Sequence, residues 1–370
     1  MRAKRTSSST RAPARRGGRA RGPCRLLAAV LSAALVVVAP AAAAIRSPRS
    51  SAAANPGYAF VHDPSMIREG SKYYVFSTGD PAGVIGGGNI QIRVSTDLRT
   101  WRYVGTVFPT IPSWILQRVG PIPNLWAPDI SFFHGLYHLY YAGSSFGSNT
   151  SVIALATNVT LDPSSPRYHW ADRGEVLSSG PGDDYNAIDP ALAYGPSSST
   201  WLAFGSFWGG IKLVAIDAST GRPYSASPRL YSLASTAAPD AEEGSYITHH
   251  GGYYYLFVSA GFCCRGIASS YQVVVGRSRA VTGPYVDAYG TPLTQGGGTE
   301  LLGADQGMIG PGSGSVYRSA STYLFDYHYY DAYDGGAARL QVRHLYWTSS
   351  GWPVTGPPLV PVPGAPAGRS

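Results

Sequence analysis

Short runs of aromatic and β-branched residues recur along the chain, each closed by turn residues such as Gly, Pro, Asn, Asp or Ser. No long stretch carries the 3.6-residue apolar period of an amphipathic helix. The strongest runs are Tyr73-Tyr74-Val75-Phe76, Tyr137-His138-Leu139-Tyr140, Trp201-Leu202-Ala203-Phe204, Tyr254-Tyr255-Leu256-Phe257 and Tyr323-Leu324-Phe325-Asp326. They begin 64, 64, 53 and 69 residues apart. A second β-rich run follows each: Ile90 to Val94, Ser151 to Ala156, Ile211 to Ile216, Tyr271 to Val275 and Leu340 to Tyr346. Five units of this length are each too small to bury a sheet alone, so the spacing predicts blades packed around an axis. The fold class is therefore all-β, a five-bladed β-propeller, in preference to a β-sandwich with accidental spacing.

The segment before each aromatic run carries the chemistry. Asp63 in His62-Asp63-Pro64-Ser65, Asp129 in Trp126-Ala127-Pro128-Asp129, Asp189 in Ala187-Ile188-Asp189-Pro190 and Glu243 in Glu242-Glu243-Gly244 stand ten, eight, twelve and eleven residues ahead of their runs. The first strand of a propeller blade lies innermost, so positions at its start converge on one mouth of the central channel. A single Asp before Pro is ordinarily a turn residue. Carboxylates at matching places in four consecutive repeats point instead to function, because gathered carboxylates repel and raise the pKa of the least solvated one. A raised-pKa acid facing an ionised carboxylate is the chemistry of glycoside hydrolysis.

Charge and cysteine content narrow the picture. The formal net charge of +8 is an effect of the first 44 residues, which hold nine Lys/Arg and no Asp or Glu. With an apolar run from Leu26 to Val38 and small residues near Ala42 to Ala44, they have the layout of a secretory signal. The apolar run is shorter than the roughly 20 residues that span a bilayer, so a membrane anchor is disfavoured. Residues 45–56 read as a linker, 57–362 as the propeller and 363–370 as a tail. Beyond the leader, 20 basic residues face 21 acidic ones with no clustered basic face, which excludes nucleic-acid binding as a main function. Cys24 leaves with the leader. Cys263 and Cys264 are adjacent and form either a local ring or two free thiols; export favours the ring, and neither state makes them catalytic.

Over nearly the whole mature part, the sequence resembles glycoside hydrolase family 43, and within it the endo-α-1,5-L-arabinanases. The resemblance rests on Leu125-Trp126-Ala127-Pro128-Asp129, Asn186-Ala187-Ile188-Asp189-Pro190, Gly205-Ser206-Phe207-Trp208-Gly209-Gly210-Ile211 and Phe262-Cys263-Cys264-Arg265-Gly266. It implies that Asp63 is the general base, Glu243 the general acid, and Asp189 the group that raises and orients that acid. Glu242 is passed over as acid because strand alternation sends it to the opposite face, and Asp129 is expected to be a buried structural carboxylate. Expected substrate-binding residues are Trp126, Gly147 in its loop Phe146-Gly147-Ser148-Asn149, Asn186, Ala187, Ile188, Ser206, Phe207 and Trp208, since sugars are held by aromatic stacking and hydroxyl hydrogen bonds.

The resemblance also implies a calcium or other ion near the channel centre, held by a histidine where this sequence has Ser313. A hydroxyl is a weak ligand beside an imidazole, so the ion is expected to be absent or dispensable and no cofactor to be required. The expected protein is a secreted monomer acting on arabinan or a related plant cell-wall polysaccharide by inversion, from within the chain. The alternatives are exo-acting arabinanase, α-L-arabinofuranosidase or β-xylosidase activity in the same family, a retaining fructosyl enzyme of another five-bladed family, and an inactive propeller that only binds polysaccharide.

Overall fold

The computed structural model describes residues 59–81 and 88–365. The expected signal segment and linker, and the end of the tail, lie outside the described residues. Five antiparallel sheets follow one another along the chain. The first contains Ser65–Glu69, Lys72–Ser77, Gln91–Ser95 and Arg102–Thr106, and the second Trp126–Phe133, Leu136–Gly143, Ser151–Asn158 and Ala171–Ser179. The third runs from Ala191–Tyr194 through Thr200–Phe204 to Ile211–Asp217, which pairs with both Arg222–Pro223 and Leu230–Ala234. The fourth contains Glu242–His250, Tyr253–Ala260, Gln272–Ser278 and Thr299–Leu302, and the fifth Met308–Arg318, Tyr323–Asp331, Ala337–Trp347 and Pro353–Pro358. These are the five blades of a propeller. Among the described residues the one α-helix is Ser113–Val119, and no helix is long and apolar enough to cross a membrane.

Every predicted aromatic run is the second strand of its blade, and every following β-rich run supplies the third. Their composition follows from where alternate side chains go. Tyr74 and Phe76 pack toward blade two, while Val75 between them packs toward blade five. Tyr140 faces blade three and its neighbours Leu139 and Tyr141 face blade one. Leu256 faces blade three, and Tyr255 and Phe257 face blade five. Both faces of these strands are thus buried, at about 1.5–3 kcal/mol per large apolar side chain, and no blade could keep its core dry alone. The ring closes where Phe60 N–H donates to Ala338 O at 2.9 Å and Val61, Met66 and Val75 pack on Leu324, Leu340 and Val342.

Candidate active site

One backbone feature repeats five times around the axis. Asp63, Ala127, Asp189, Gly244 and Ser313 all have left-handed φ, at 49°, 42°, 54°, 56° and 50°. Each opens a triplet that lines the central cavity: Asp63-Pro64-Ser65, Ala127-Pro128-Asp129, Asp189-Pro190-Ala191, Gly244-Ser245-Tyr246 and Ser313-Gly314-Ser315. Four of these five residues are not glycine, and a non-glycine residue in this region costs about 1–3 kcal/mol, a cost that persists where surrounding packing fixes a functional geometry.

The repeat corrects the expectation that the four carboxylates occupy one position. Asp63 and Asp189 hold the same slot in blades one and three, and Ser313 holds it in blade five. In blade two the slot belongs to Ala127, with Asp129 two residues further on, level with Ser65, Ala191, Tyr246 and Ser315. In blade four it belongs to Gly244, and Glu243 stands one residue earlier. Register shifts between Trp126 and Asp129, between Glu243 and Tyr246 and between Gly312 and Ser315 mark bulges that bracket the slot in blades two, four and five.

On the acid side, Ser206 Oγ donates to Glu243 Oε2 at 2.6 Å and Tyr271 OH donates to Oε1. The tyrosine reaches it because a Cβ at Gly312 would overlap the Tyr271 ring. Burial pushes the Glu243 carboxyl up to about 7; the Ser206 bond opposes this and the charge of Asp63 adds to it. Asp189 is also raised well above the usual carboxylate range, by burial and then by the charges of Glu243 and Asp63, although Gly244 N–H donates to its Oδ2 at 2.9 Å. Two buried carboxyls that repel in this way titrate as a pair.

The base side is the opposite. Burial alone would raise the Asp63 carboxyl, but the adjacent His62 and His328 imidazoles and the Thr78 hydroxyl outweigh it, and the group is held below the usual carboxylate range. Thr78 Oγ1 donates to Asp63 Oδ2 at 2.5 Å and is itself fixed by accepting Ala127 N–H at 2.8 Å. His62 Nδ1 and His328 Nδ1 lie 3.7 and 3.6 Å from Asp63 Oδ1, with their rings 4.0 Å apart. His328 is fully buried; burial lowers its pKa to about 3, so it is neutral, and its Nδ1 accepts the backbone N–H of Asp63 at 3.2 Å. Thr78 and Tyr271 lie next to strand ends 15 and 28 residues from the acids they bond, and His328 lies 265 residues from Asp63, so adjacency in sequence does not mark them as partners.

Asp129 is 3% exposed and accepts Ser65 Oγ at 3.1 Å, Ser131 Oγ at 3.4 Å and Leu192 N–H at 2.9 Å, which ties the inner strands of blades one, two and three together. Glu242 is buried beside Asp240 and is pushed up to about 8 by burial and by that neighbour. Of the expected sugar contacts, Trp208 is 41% exposed and half-buried Trp126 packs at a tilt, 5.3 Å from Phe146, itself 78% exposed next to Gly147. Phe207 N–H donates to Glu242 O at 3.0 Å, which moors the Ser206–Trp208 loop against the acid. Asn186, Ala187 and Ile188 are buried. Asn186 accepts Ser151 Oγ at 2.6 Å and Ala187 N–H donates to Ser179 Oγ at 2.8 Å, so these groups brace the segment that leads into Asp189.

Where the resemblance implies a histidine for a channel ion, this chain has Ser313. Ser313 offers a neutral hydroxyl that lies 2.8 Å from where a Cβ at Gly244 would stand, and its N–H is spent on Ser259 Oγ at 2.7 Å. Among the described residues the grouping with metal-ligand chemistry is His62, Asp63 and His328, whose ligand atoms lie within 4.8 Å of one another. Its bonds to Thr78 and to the Asp63 backbone make it a clamp on the carboxylate.

An ionised carboxylate and a protonated buried carboxyl at one mouth of a five-bladed propeller define a glycoside hydrolase. The chain belongs to the glycosyl hydrolases family 43, whose profile it matches over residues 54–353. It is 42% identical over 307 residues to the extracellular exo-α-(1→5)-L-arabinofuranosidase ArbA of Cellvibrio japonicus, covering 79% of this chain and 85% of that protein. It is 41% identical over 299 residues to the extracellular endo-α-(1→5)-L-arabinanase 1 of Bacillus subtilis, covering 79% and 87%. Among solved structures, the Cellvibrio cellulosa α-L-arabinanase complexed with arabinohexaose superposes with a TM-score of 0.75 at 39% identity, covering 81% of this chain and 96% of that one. The Bacillus licheniformis endo-arabinanase gives 0.74 at 42% identity, covering 81% and 99%.

Proposed function

We propose that the protein is a secreted arabinanase that cleaves internal α-1,5-L-arabinofuranosidic bonds by inversion. The observation that carries this reading is the unequal state of the two carboxyls: Asp63 is held ionised and Glu243 is held protonated up to about pH 7. Asp63 takes a proton from water as the oxygen attacks the anomeric carbon. Glu243 gives its proton to the departing glycosidic oxygen on the other face of the ring. Asp189 is the positioning group: its bond to the N–H of Gly244, the residue after the acid, holds the backbone that carries Glu243 in place. Secretion is supported by the leader-like first 44 residues and by the extracellular relatives.

Exposed aromatic surfaces on two blades, Trp126 with Phe146 and Trp208 near Phe207, provide more than one stacking place for sugars and favour a polymer lying across the mouth. Debranched arabinan is therefore expected to yield a ladder of oligosaccharides early in the reaction, as read by chromatography. A single small product from the first time point would make the enzyme exo-acting, the activity named for the Cellvibrio japonicus relative.

The weak donor set at Ser313 supports catalysis without a resident ion. Calcium takes six to eight oxygens, and an ion stabilises a fold only through its preference for the native state. Treatment with a chelator is expected to leave both the melting temperature and the arabinan-hydrolysing rate unchanged. A large fall in either, restored by calcium, would contradict it.

A further inference from the structure

Cys263 and Cys264 are joined by a disulfide. A bond between residues adjacent in sequence closes almost no chain, so the loop-closure entropy by which disulfides ordinarily stabilise a fold is nearly nil here. Whatever this ring does, it does locally. It sits in a loop whose neck is cinched by Gly261 N–H to Ala241 O at 2.8 Å, Ser270 N–H to Phe262 O at 2.9 Å and Phe262 N–H to Ser270 Oγ at 3.1 Å. Cys264 is exposed and holds the left-handed φ of 67°, a conformation that costs a non-glycine residue about 1–3 kcal/mol. In that conformation its N–H donates to Tyr330 OH at 2.7 Å. The Tyr330 ring in turn packs 5.3 Å from His62 and 5.4 Å from His328, the two imidazoles that flank the Asp63 carboxylate.

We propose that the Cys263–Cys264 ring is a positioning element for the base side of the active site, holding Tyr330 against His62 and His328 through the Cys264 amide. The inference rests on Asp63 being the general base. With the ring closed, the two cysteines keep the backbone turn that aims the amide. With the ring open, Cys264 relaxes toward ordinary φ, the amide leaves Tyr330, and the His62 contact that keeps Asp63 ionised loosens.

Opening the ring requires a two-electron reductant. Dithiothreitol supplies two electrons and two protons, the S–S bond breaks into two thiols, and the reagent closes to its own cyclic disulfide. The folded protein, treated in this way until thiol titration shows two additional thiols per chain, is expected to lose kcat on debranched arabinan by about tenfold. That is a fraction of the roughly 10²-fold that a full 1 Å misplacement of a reacting group can cost. KM should stay within about twofold, and the acid limb of the rate should move to higher pH as Asp63 regains a more ordinary pKa. Reoxidation should restore both. Tyr330→Phe removes the acceptor oxygen, so it should show a similar loss and no further loss on reduction.

An opened ring with unchanged kcat and acid limb would overturn the proposal. So would equal sensitivity of Tyr330→Phe and the unaltered protein to reduction. Because the test is made on protein already folded, it does not depend on cysteine variants folding. Asp63→Asn separates the two layers: activity retained there removes the base assignment itself, whereas an inactive Asp63→Asn beside an indifferent ring removes the disulfide's role alone.

Discussion

Asp63→Asn is expected to lower hydrolysis of arabinan by about 10² to 10⁴-fold while leaving the fold intact, the range that general base catalysis contributes. The substitution keeps the side-chain volume, and the amide retains an oxygen to accept the Thr78 hydroxyl that now bonds Oδ2 at 2.5 Å. The left-handed φ of 49° is one that Asn adopts more readily than most residues, so the slot itself is not disturbed. What disappears is the negative charge that His62 and Thr78 maintain, and with it the capacity to take a proton from water. The loss should persist whatever the leaving group, because activation of water is needed in every case. Wild-type turnover by a correctly folded Asp63→Asn protein, with melting temperature as the check on folding, would remove Asp63 from the mechanism.

Glu243→Gln is expected to be as damaging on arabinan, again by about 10² to 10⁴-fold, but with a different signature. An acid is needed only in so far as the leaving group needs a proton. An aryl arabino-oligosaccharide with a nitrophenol leaving group should therefore be cleaved by Glu243→Gln with much of the loss restored, whereas Asp63→Asn stays slow on it. The unaltered enzyme requires the acid protonated, so its rate on arabinan should fall as pH rises through about 7, the value to which burial and the charge of Asp63 bring Glu243. That basic limb should vanish in Glu243→Gln. An equal loss on both substrates, or a basic limb unchanged by the substitution, would mean that the proton comes from elsewhere.

The parts of this molecule that could be read from the sequence are those whose side chains do one job wherever the blade sits. The second strand of each blade is buried on both faces, so Tyr74, Val75 and Phe76 had to be apolar together and the run stands out. The outer strands, such as Arg102–Thr106, are half exposed and carry no such run, and the seven-residue helix Ser113–Val119 is too short to establish a period. Asp63, Asp189 and Glu243 could be named from their place ahead of the aromatic runs and from the family motifs. Their true registers could not, because distance to the next strand mixes slot position with hairpin length and bulges. Asp129 therefore looked equivalent to Asp63 when Ala127 fills that slot. The hydroxyls and rings that set the charge states of the acids come from Thr78, Ser206, Tyr271 and His328. Of these, Ser206 lies in a motif that carries the family resemblance. Asn186 could be named from its motif, but its bonds to Ser151 Oγ and Ser148 O are tertiary and could not.

The most direct test of an ionised Asp63 working across the sugar from a protonated Glu243 is the anomeric configuration of the first product. Proton NMR of arabino-oligosaccharide hydrolysis, recorded before mutarotation equilibrates the reducing ends, should show the β-anomer appearing first from the α-linked substrate, as inversion requires. Appearance of the α-anomer first would mean a covalent intermediate and retention, and would contradict the assignment of Asp63 as a base acting on water.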